Sequence, residues 1–444
     1  MSMPTIHVYG AGLAGSEAAW QAARQGVDVV LHEMKPHKMT PAHHSRGFAE
    51  LVCSNSLRSD RVSNAVGLLK EELSRMGSLI MEAARATQVA AGSALAVDRD
   101  RFSAYITEKL CAHPRITVVE EEVSAIPDGQ ITVVATGPLT SDPMAAYIRT
   151  HFAGDGLHFF DAVAPIVDAS TINMDIAFFA SRYNKGDADY INCPMTREQY
   201  DAFYQALIGA EEAPLKEFDR NLQKELKVFE GCMPVEVMAR RGYDTLCYGP
   251  LKPVGLTDPR TGAHSFAVVQ LRRENQEGTM YNLVGFQTHL TFPEQRRVFR
   301  LIPGLENAEF LRYGVMHRNT YLPSPDMLEP DYSVRTVPNV YFAGQMTGVE
   351  GYVESCASGA LVGIETAAQL LGLEPVDFPQ ETAIGALAAY ISDESVTVFQ
   401  PMNVNFGILT PLDRRVKGKA NKNLAIAQRS LAIIDQMTGQ EGTE

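Results

Sequence analysis

The sequence of 444 residues is short of several features that would otherwise fix its class. Its six cysteines, at 53, 111, 193, 232, 247 and 356, form no Cys-x-x-Cys pair or other close metal-ligand spacing. No metal site is expected, a small disulfide scaffold is excluded, and a reducing cytoplasm suits the thiols. No uncharged apolar run approaches the ~18 residues that a membrane span needs. The N-terminus likewise lacks a basic region followed by a long apolar stretch, so no membrane role is expected. Positive charge is scarce: 39 Lys and Arg stand against 53 Asp and Glu, a net charge of -14. Such a chain repels generic nucleic acid unless its basic residues cluster locally. Internal repeats and low-complexity segments are also missing. What remains, with 45% hydrophobic and 21% charged residues, is an ordinary soluble globular composition. The length suits two or three domains.

The clearest positive signal is at the start. Thr5–Tyr9 reads as a short buried strand, Gly10-Ala11-Gly12-Leu13-Ala14-Gly15 follows, and Ser16–Arg24 is Ala-rich and helix-prone. A second strand from Val27 ends at Glu33, 18 residues beyond Gly15. In a strand–turn–helix–strand unit of this kind the first glycine allows a tight turn. The second lets a pyrophosphate approach the backbone, the third lets helix and strand pack closely, and the acid accepts hydrogen bonds from a ribose. Dinucleotide binding is the expectation.

Two later stretches bear on which dinucleotide. Gln130–Gly137 reads as a strand ending in Ala-Thr-Gly, and Thr336–Gly344 as another ending in glycine. After the second come Gln345, Gly351 and a helix rich in small residues, expected to bring its N-terminus and backbone close to a large flat ligand. This paired placement resembles FAD-dependent oxidoreductases of the glutathione-reductase type. The fold class expected is therefore α/β, an FAD-binding Rossmann-like domain with an α+β insertion. Gln345 stands where such proteins often carry Asp, and its amide can still bond ribityl hydroxyls. No second Gly-x-Gly-x-x-Gly follows a strand, so a nicotinamide would have to dock directly over the flavin. A methyltransferase using S-adenosylmethionine would leave the late return unexplained.

The middle of the chain changes character. Asn64–Arg85 reads as one amphipathic helix and Leu215–Phe229 as another, stopped by Gly231 and Pro234. Ser265–Leu271 and Met280–Phe286 alternate like antiparallel strands. The expected division is 1–165 for the first part of the FAD-binding domain, 166–330 for the insertion, and 331–444 for the return and a basic tail.

Two cysteines draw attention. Cys53 is followed by the helix-capping residues Ser54, Asn55 and Ser56, and a thiol at a helix N-terminus has its thiolate favoured. Cys232 sits at a helix-breaking turn, able to face a cleft. A buried small hydrophobe is the ordinary reading of either. His37, His43 and His44 lie in an expected loop without metal-ligand spacing. Basic clusters occur at Arg240 and Arg241, at Arg296, Arg297 and Arg300, and at Arg414, Arg415, Lys417, Lys419 and Lys422. These are candidate RNA phosphate contacts or solvated faces.

Longer blocks carry a family resemblance: GAGLAGSEAAW, MTPAHHSRGFAELVCSNSLRS, FEGCMPVEVMARRG, YGPLKPVGL, IPGLENAEFLRYGVMHRNTYL and YFAGQMTGVEGYVES. They resemble the bacterial folate- and FAD-dependent tRNA (uracil-5-)-methyltransferases, from the first strand to about Gly363. The blocks around NFGILTPL and RRVKGKANKN fit as well. The resemblance implies methylation of uracil carbon 5 in the T-loop of tRNA, with 5,10-methylenetetrahydrofolate, FAD and NADPH or NADH. It implies that Cys232 is the nucleophile at uracil carbon 6, that Cys53 works on the flavin side, and that His317 lies against the folate pterin. A swap of the two cysteine roles stays open. The same chemistry on ribosomal RNA is an alternative, as is a simple NAD(P)H-flavin oxidoreductase.

Overall fold

The computed structural model describes residues 5–40, 42–153, 157–184, 187–213, 233–273, 278–396, 399 and 401–439. Strand β1 (Thr5–Tyr9) and strand β2 (Asp28–Glu33) pair in parallel, from Thr5 opposite Asp28 to Tyr9 opposite His32. Parallel neighbours need a crossover. Helix α1 (Leu13–Arg24) supplies it, beginning directly after Gly12 and burying Ala14, Ala18, Ala19 and Ala22. Small side chains suit a helix covered on both sides.

The single helix expected over Asn64–Arg85 is two. Helix α2 (Ala65–Arg75) ends before Gly77, whose φ of +72° lies in the left-handed region, and α3 (Leu79–Ala86) restarts at Ser78. The Ser78 hydroxyl accepts from Met81 N, and the buried Glu17 carboxylate accepts from Ile80 N at 3.1 Å and from the Ser78 hydroxyl at 2.8 Å. Buried apolar residues recur on both sides of the break, so the pattern alone hid it. Strands β3 (Ile116–Glu120) and β4 (Ile131–Val134) extend the parallel sheet on its two sides.

A second sheet holds β5 (Ile166–Asp168), β6 (Phe178–Ala180), β7 (Tyr190–Met195), β8 (Ala267–Arg273), β9 (Met280–Leu283) and β10 (Phe310–Arg312), in the order β6-β7-β8-β9-β5-β10. The pairs are antiparallel, as the alternation in Ser265–Leu271 and Met280–Phe286 predicts. Its core gathers Ile191, Val269, Leu271, Leu283, Phe286 and Phe299. A two-stranded ribbon, Leu157–Val163 with Val315–Tyr321, lies at the point where the chain leaves and re-enters the first sheet. The helix expected over Leu215–Phe229 falls outside the described residues, as does Cys232.

The chain then returns. Strand β11 (Ser333–Val334) and β12 (Val337–Phe342) complete the first sheet in the order β11-β12-β4-β1-β2-β3, with β12 parallel to β4. Helix α4 (Tyr352–Leu371) packs along α1. A Cβ on Gly359 would sit 2.1 Å from Ala14 O, and one on Gly363 would sit 2.5 Å from Ala18 O. Gly359 and Gly363 thus serve helix–helix packing, while the first turn of the helix, with Tyr352 and Ser355, lines the cleft described below.

Helices α5 (Ala383–Ser392) and α6 (Lys419–Thr438) close over α2 through one buried acid. Glu72 accepts from Ala383 N at 2.7 Å, from Ile384 N at 2.9 Å and from the Ser430 hydroxyl. Burial pushes its carboxyl up to about 7 despite these three donors. The folded chain therefore holds this proton more tightly than the unfolded one. The corresponding stability is present below about pH 4.5 and is lost as pH rises through about 7. Thermal unfolding of wild type and Glu72→Gln between pH 5 and pH 8 should show the wild type losing on the order of 2 kcal/mol more across that window. Parallel profiles would assign the pH dependence to other groups.

Candidate functional site

The carboxyl ends of β1, β2 and β4 open into one cleft, the usual ligand position of an open α/β sheet. It encloses about 1300 Å³ of empty space, part of it continuous with solvent. Gly10, Gly12, Leu13, Ala14, Glu33, Cys53, Gly137, Gly344 and Gln345 line it. Gly10 has a φ of +94°, and a Cβ there would lie 2.7 Å from Ala135 O. A Cβ on Gly15 would lie 1.8 Å from Gly10 O, whereas one on Gly12 would meet nothing within 4 Å. The first and third glycines thus permit internal packing. The second leaves free space at the start of α1, where Gly12 offers no side-chain cap to the helix amides. Uncapped amides beside an open cradle suit a pyrophosphate.

Glu33 is 6% exposed and accepts from Ala11 N at 2.8 Å through one oxygen and from Lys35 N at 2.9 Å through the other. A carboxylate has about four acceptor sites, so these bonds brace the turn and leave capacity for ribose hydroxyls. The residues present therefore fit a dinucleotide. Ala11, Gly15 and Gly351 stand behind the wall. Gly351 precedes α4 and lies against the ion pair between Arg58 and Glu354.

Cys53 is not where its capping residues point. Ser54–Ser56 lead into a strand, Ser56–Ser59, rather than a helix. The thiol instead meets Tyr352, the first residue of α4, with Sγ 2.8 Å from the phenol oxygen. That oxygen accepts from Cys53 N at 2.8 Å and from Ser54 N at 3.1 Å. With both lone pairs engaged, the phenol proton is left for the sulfur, a bond that favours thiolate. Burial and then the charge of the Cys53 thiolate hold the Tyr352 hydroxyl well above its usual value. Arg99 lies behind the loop and donates to Leu51 O at 2.9 Å. Lys70, pushed down to about 8 by burial, donates to the carbonyls of Leu57, Arg58 and Ser59.

Residues that sequence reasoning missed also line the cleft: His32, Lys35, Glu50, Glu121 and Tyr352. His32 bonds Glu121 at 2.7 Å and His7 at 3.1 Å, and burial followed by His32 holds His7 below its ordinary value. Lys35 donates to Gly47 O at 2.5 Å and is held down by burial. Only its place two residues after Glu33 hinted at a role. His43 lines the cleft beside Thr40, while His37 is near Glu120. His317 is on the ribbon strand Val315–Tyr321, opposite Asp161. Of the basic candidates, Arg240 pairs with Glu212, Arg297 with Glu294, and Arg300 donates to Ala308 O. Arg296 donates to the Tyr313 hydroxyl. Arg241 is exposed, and so are Arg414, Arg415, Lys417, Lys419 and Lys422. Among the described residues no His, Cys, Asp and Glu group is arranged to hold a metal ion, and no helix is long and apolar enough to cross a membrane.

A parallel sheet carrying a glycine turn, a terminal acid and a late returning strand and helix, with a second sheet inserted, defines an α/β protein of the FAD-binding Rossmann-like class. The structure of GidA from Aquifex aeolicus (form I crystal) has this fold: it covers 98% of this chain and 76% of its own at a TM-score of 0.70 and 17% identity. The family described as Glucose inhibited division protein A matches residues 5–374. Curated proteins named methylenetetrahydrofolate--tRNA-(uracil-5-)-methyltransferase TrmFO align over nearly the whole length. The one from Heliobacterium modesticaldum is 59% identical over 98% of both chains, and that from Desulfitobacterium hafniense is 57% identical over 100% of both. The chain belongs to the Glucose inhibited division protein A family and, within it, to the TrmFO-type tRNA methyltransferases.

Removing the phenol oxygen should uncover the Cys53 and Ser54 amides. Tyr352→Phe is expected to destabilise the fold by about 1–2 kcal/mol in denaturant unfolding. No loss would mean that water replaces the bonds.

Proposed function

We propose that the chain makes 5-methyluridine in the T-loop of tRNA, taking carbon from 5,10-methylenetetrahydrofolate and electrons from NADPH or NADH through FAD. The observation that carries this reading is the 55–59% identity, over almost the full length, to proteins named methylenetetrahydrofolate--tRNA-(uracil-5-)-methyltransferases. The turn Gly10–Gly15, Glu33, Gly137, Gly344 and Gln345 hold FAD, with Gly351 setting the entry into α4. Bound FAD, once reduced by the nicotinamide, supplies the hydride that completes the methyl group.

The chain's own residues do the rest. Uracil carbon 5 is a poor nucleophile until a thiolate adds to carbon 6 and makes an enolate. Cys232 performs that addition and carbon 5 then bonds the folate methylene. Loss of the carbon 5 proton breaks the methylene–nitrogen bond, releasing tetrahydrofolate and leaving an exocyclic methylene on the base. Hydride addition to that carbon restores the enolate that expels Cys232. Cys53, held against Tyr352 at the cleft wall, acts on the flavin side as base or protector. His317 meets the pterin. The chain is read as an FAD-binding part over 1–165 and 331–444 around an insertion at 166–330. This division is supported by the second sheet, whose strands all fall within Ile166–Arg312. The reaction belongs in the cytoplasm, with its substrate tRNA. Arg414, Arg415, Lys417, Lys419 and Lys422 are the preferred phosphate contacts. Arg240, Arg241, Arg296, Arg297 and Arg300 are second choices, since several already bond within the protein.

Purified protein with methylenetetrahydrofolate, NADPH and separate tRNA and rRNA transcripts should form 5-methyluridine in tRNA. Flavin reduction without RNA methylation would overturn the reading in favour of an oxidoreductase, and methylation of rRNA alone would change the substrate. Cys53→Ala and Cys232→Ala should each retain flavin absorbance and lose at least 100-fold in methyl transfer, an order-of-magnitude expectation for a removed covalent or acid–base group. Reversing the charges of Arg414, Arg415 and Lys417 should weaken tRNA binding and flatten its salt dependence by roughly 0.7–0.9 per lost phosphate contact. An unchanged slope would place the RNA path elsewhere.

A further inference from the structure

The second sheet has an apolar face and a polar one. Ile191, Val269, Leu271 and Leu283 enter its core. The residues alternating with them, Asn192 opposite Gln270 and Arg272 opposite Asn282, fall on the other face. A solvated face needs only exposed polar side chains, yet Asn192 is 0% and Asn282 1% exposed. This face meets the first sheet's lobe at the loop that carries Cys53.

Arg272 makes the junction. Its Nη2 donates to Ser54 Oγ at 2.5 Å and its Nε donates to Asn55 Oδ1 at 3.0 Å. Asn55, 0% exposed, returns its amide to Arg273 O at 2.6 Å and to Val97 O at 3.1 Å. Tyr352 grips the same loop from the opposite side through Cys53 and Ser54. Residues 53–55 are thus clamped between the first residue of α4 and strand β8 of the second sheet.

We infer that Arg272 is a positioning residue for Cys53. Its planar fork fixes the Ser54–Asn55 backbone from which the thiol projects, and it sets a permanent positive charge one residue away. Guanidinium stays protonated at any working pH, and a nearby cation favours thiolate over thiol. The other titratable and charged groups near this loop are the Tyr352 hydroxyl, bonded to the thiol, Arg99, which donates to Leu51 O, Glu50 and His43, which line the same cleft, and the Arg58–Glu354 pair beside Gly351. Arg272 belongs to the second sheet, so the inserted lobe acts on the thiol through it. The inference rests on Cys53 being a working thiol.

The test reads the sulfur directly in the full-length, flavin-loaded protein. Alkylation of Cys53 by iodoacetamide is followed on its own peptide by mass spectrometry from pH 6 to pH 9.5, beside methyl transfer and flavin content. Arg272→Met should keep its flavin, raise the alkylation midpoint by about one pH unit and lower kcat by about tenfold with KM for tRNA unchanged. Arg272→Lys should hold the midpoint but still lose kcat, because one ammonium cannot span both acceptors. A wild-type midpoint and kcat in Arg272→Met overturn the inference, and if that variant does not fold, wild-type kcat in Arg272→Lys overturns it equally. Full methyl transfer by Cys53→Ala sinks the reading of Cys53 itself. An inactive Cys53→Ala beside an unaltered Arg272→Met sinks only the role of Arg272.

Discussion

Two helices that touch backbone to backbone decide the geometry of this protein. Gly359 and Gly363 of α4 lie against the Ala14 and Ala18 carbonyls of α1, where a single methyl group on either glycine would overlap the neighbouring chain. Interiors are close-packed and tolerate such overlap poorly. The contact draws Tyr352, at the start of α4, to Cys53 across 299 residues of sequence. It also sets Gly344 beside α1, where its amide is held by the Ser358 hydroxyl at 2.7 Å. The cleft exists because the returning helix can come this near.

Buried acids tie the remaining pieces to that pair. Glu17 joins α1 to the start of α3, Glu72 joins α2 to α5 and α6, and Glu33 braces the glycine turn. Glu354 receives Val404 N and pairs with Arg58, securing the segment beyond α5. A carboxylate without partners is costly to bury, and each of these is matched by backbone amides or a cation. Some of the acids counted in the formal net charge of -14 are therefore buried, where burial raises the carboxyls of Glu17 and Glu72. The exposed run from Arg414 to Lys422 sits on the surface at the start of α6. A sum over the chain hides this division between interior acids and exposed cations.

Much of the architecture could be read from the order of residues. The strand, glycine turn, helix and acid of the first unit are local, with spacing set by the geometry of one parallel crossover. β12 and the alternating strands of the second sheet were equally legible, since period-two patterning needs no knowledge of the partner. Reading failed where one side chain answers to a distant segment. The break at Gly77 was masked by buried apolar residues that recur on both sides of it. That Gly359 and Gly363 of α4 pack on α1 was not legible, because nothing in their own stretch points to that helix. Cys53 was assigned to a helix start from its neighbours Ser54 and Asn55, whose amides and side chains bond Tyr352, Arg272 and Arg273 instead.

The sequence by itself determined the α/β class, the dinucleotide turn and, through its long blocks, the family. These depend on short-range spacing and on residue identity. Only the tertiary structure decided which groups stand around the thiol. Tyr352 reaches Cys53 itself, while Arg99 and Arg272 reach its loop neighbours Leu51 and Ser54, from segments that no local pattern connects. Hydrogen bonds act over about 3 Å in space whatever the separation in sequence. That constellation was therefore set by the packing that brought the segments together.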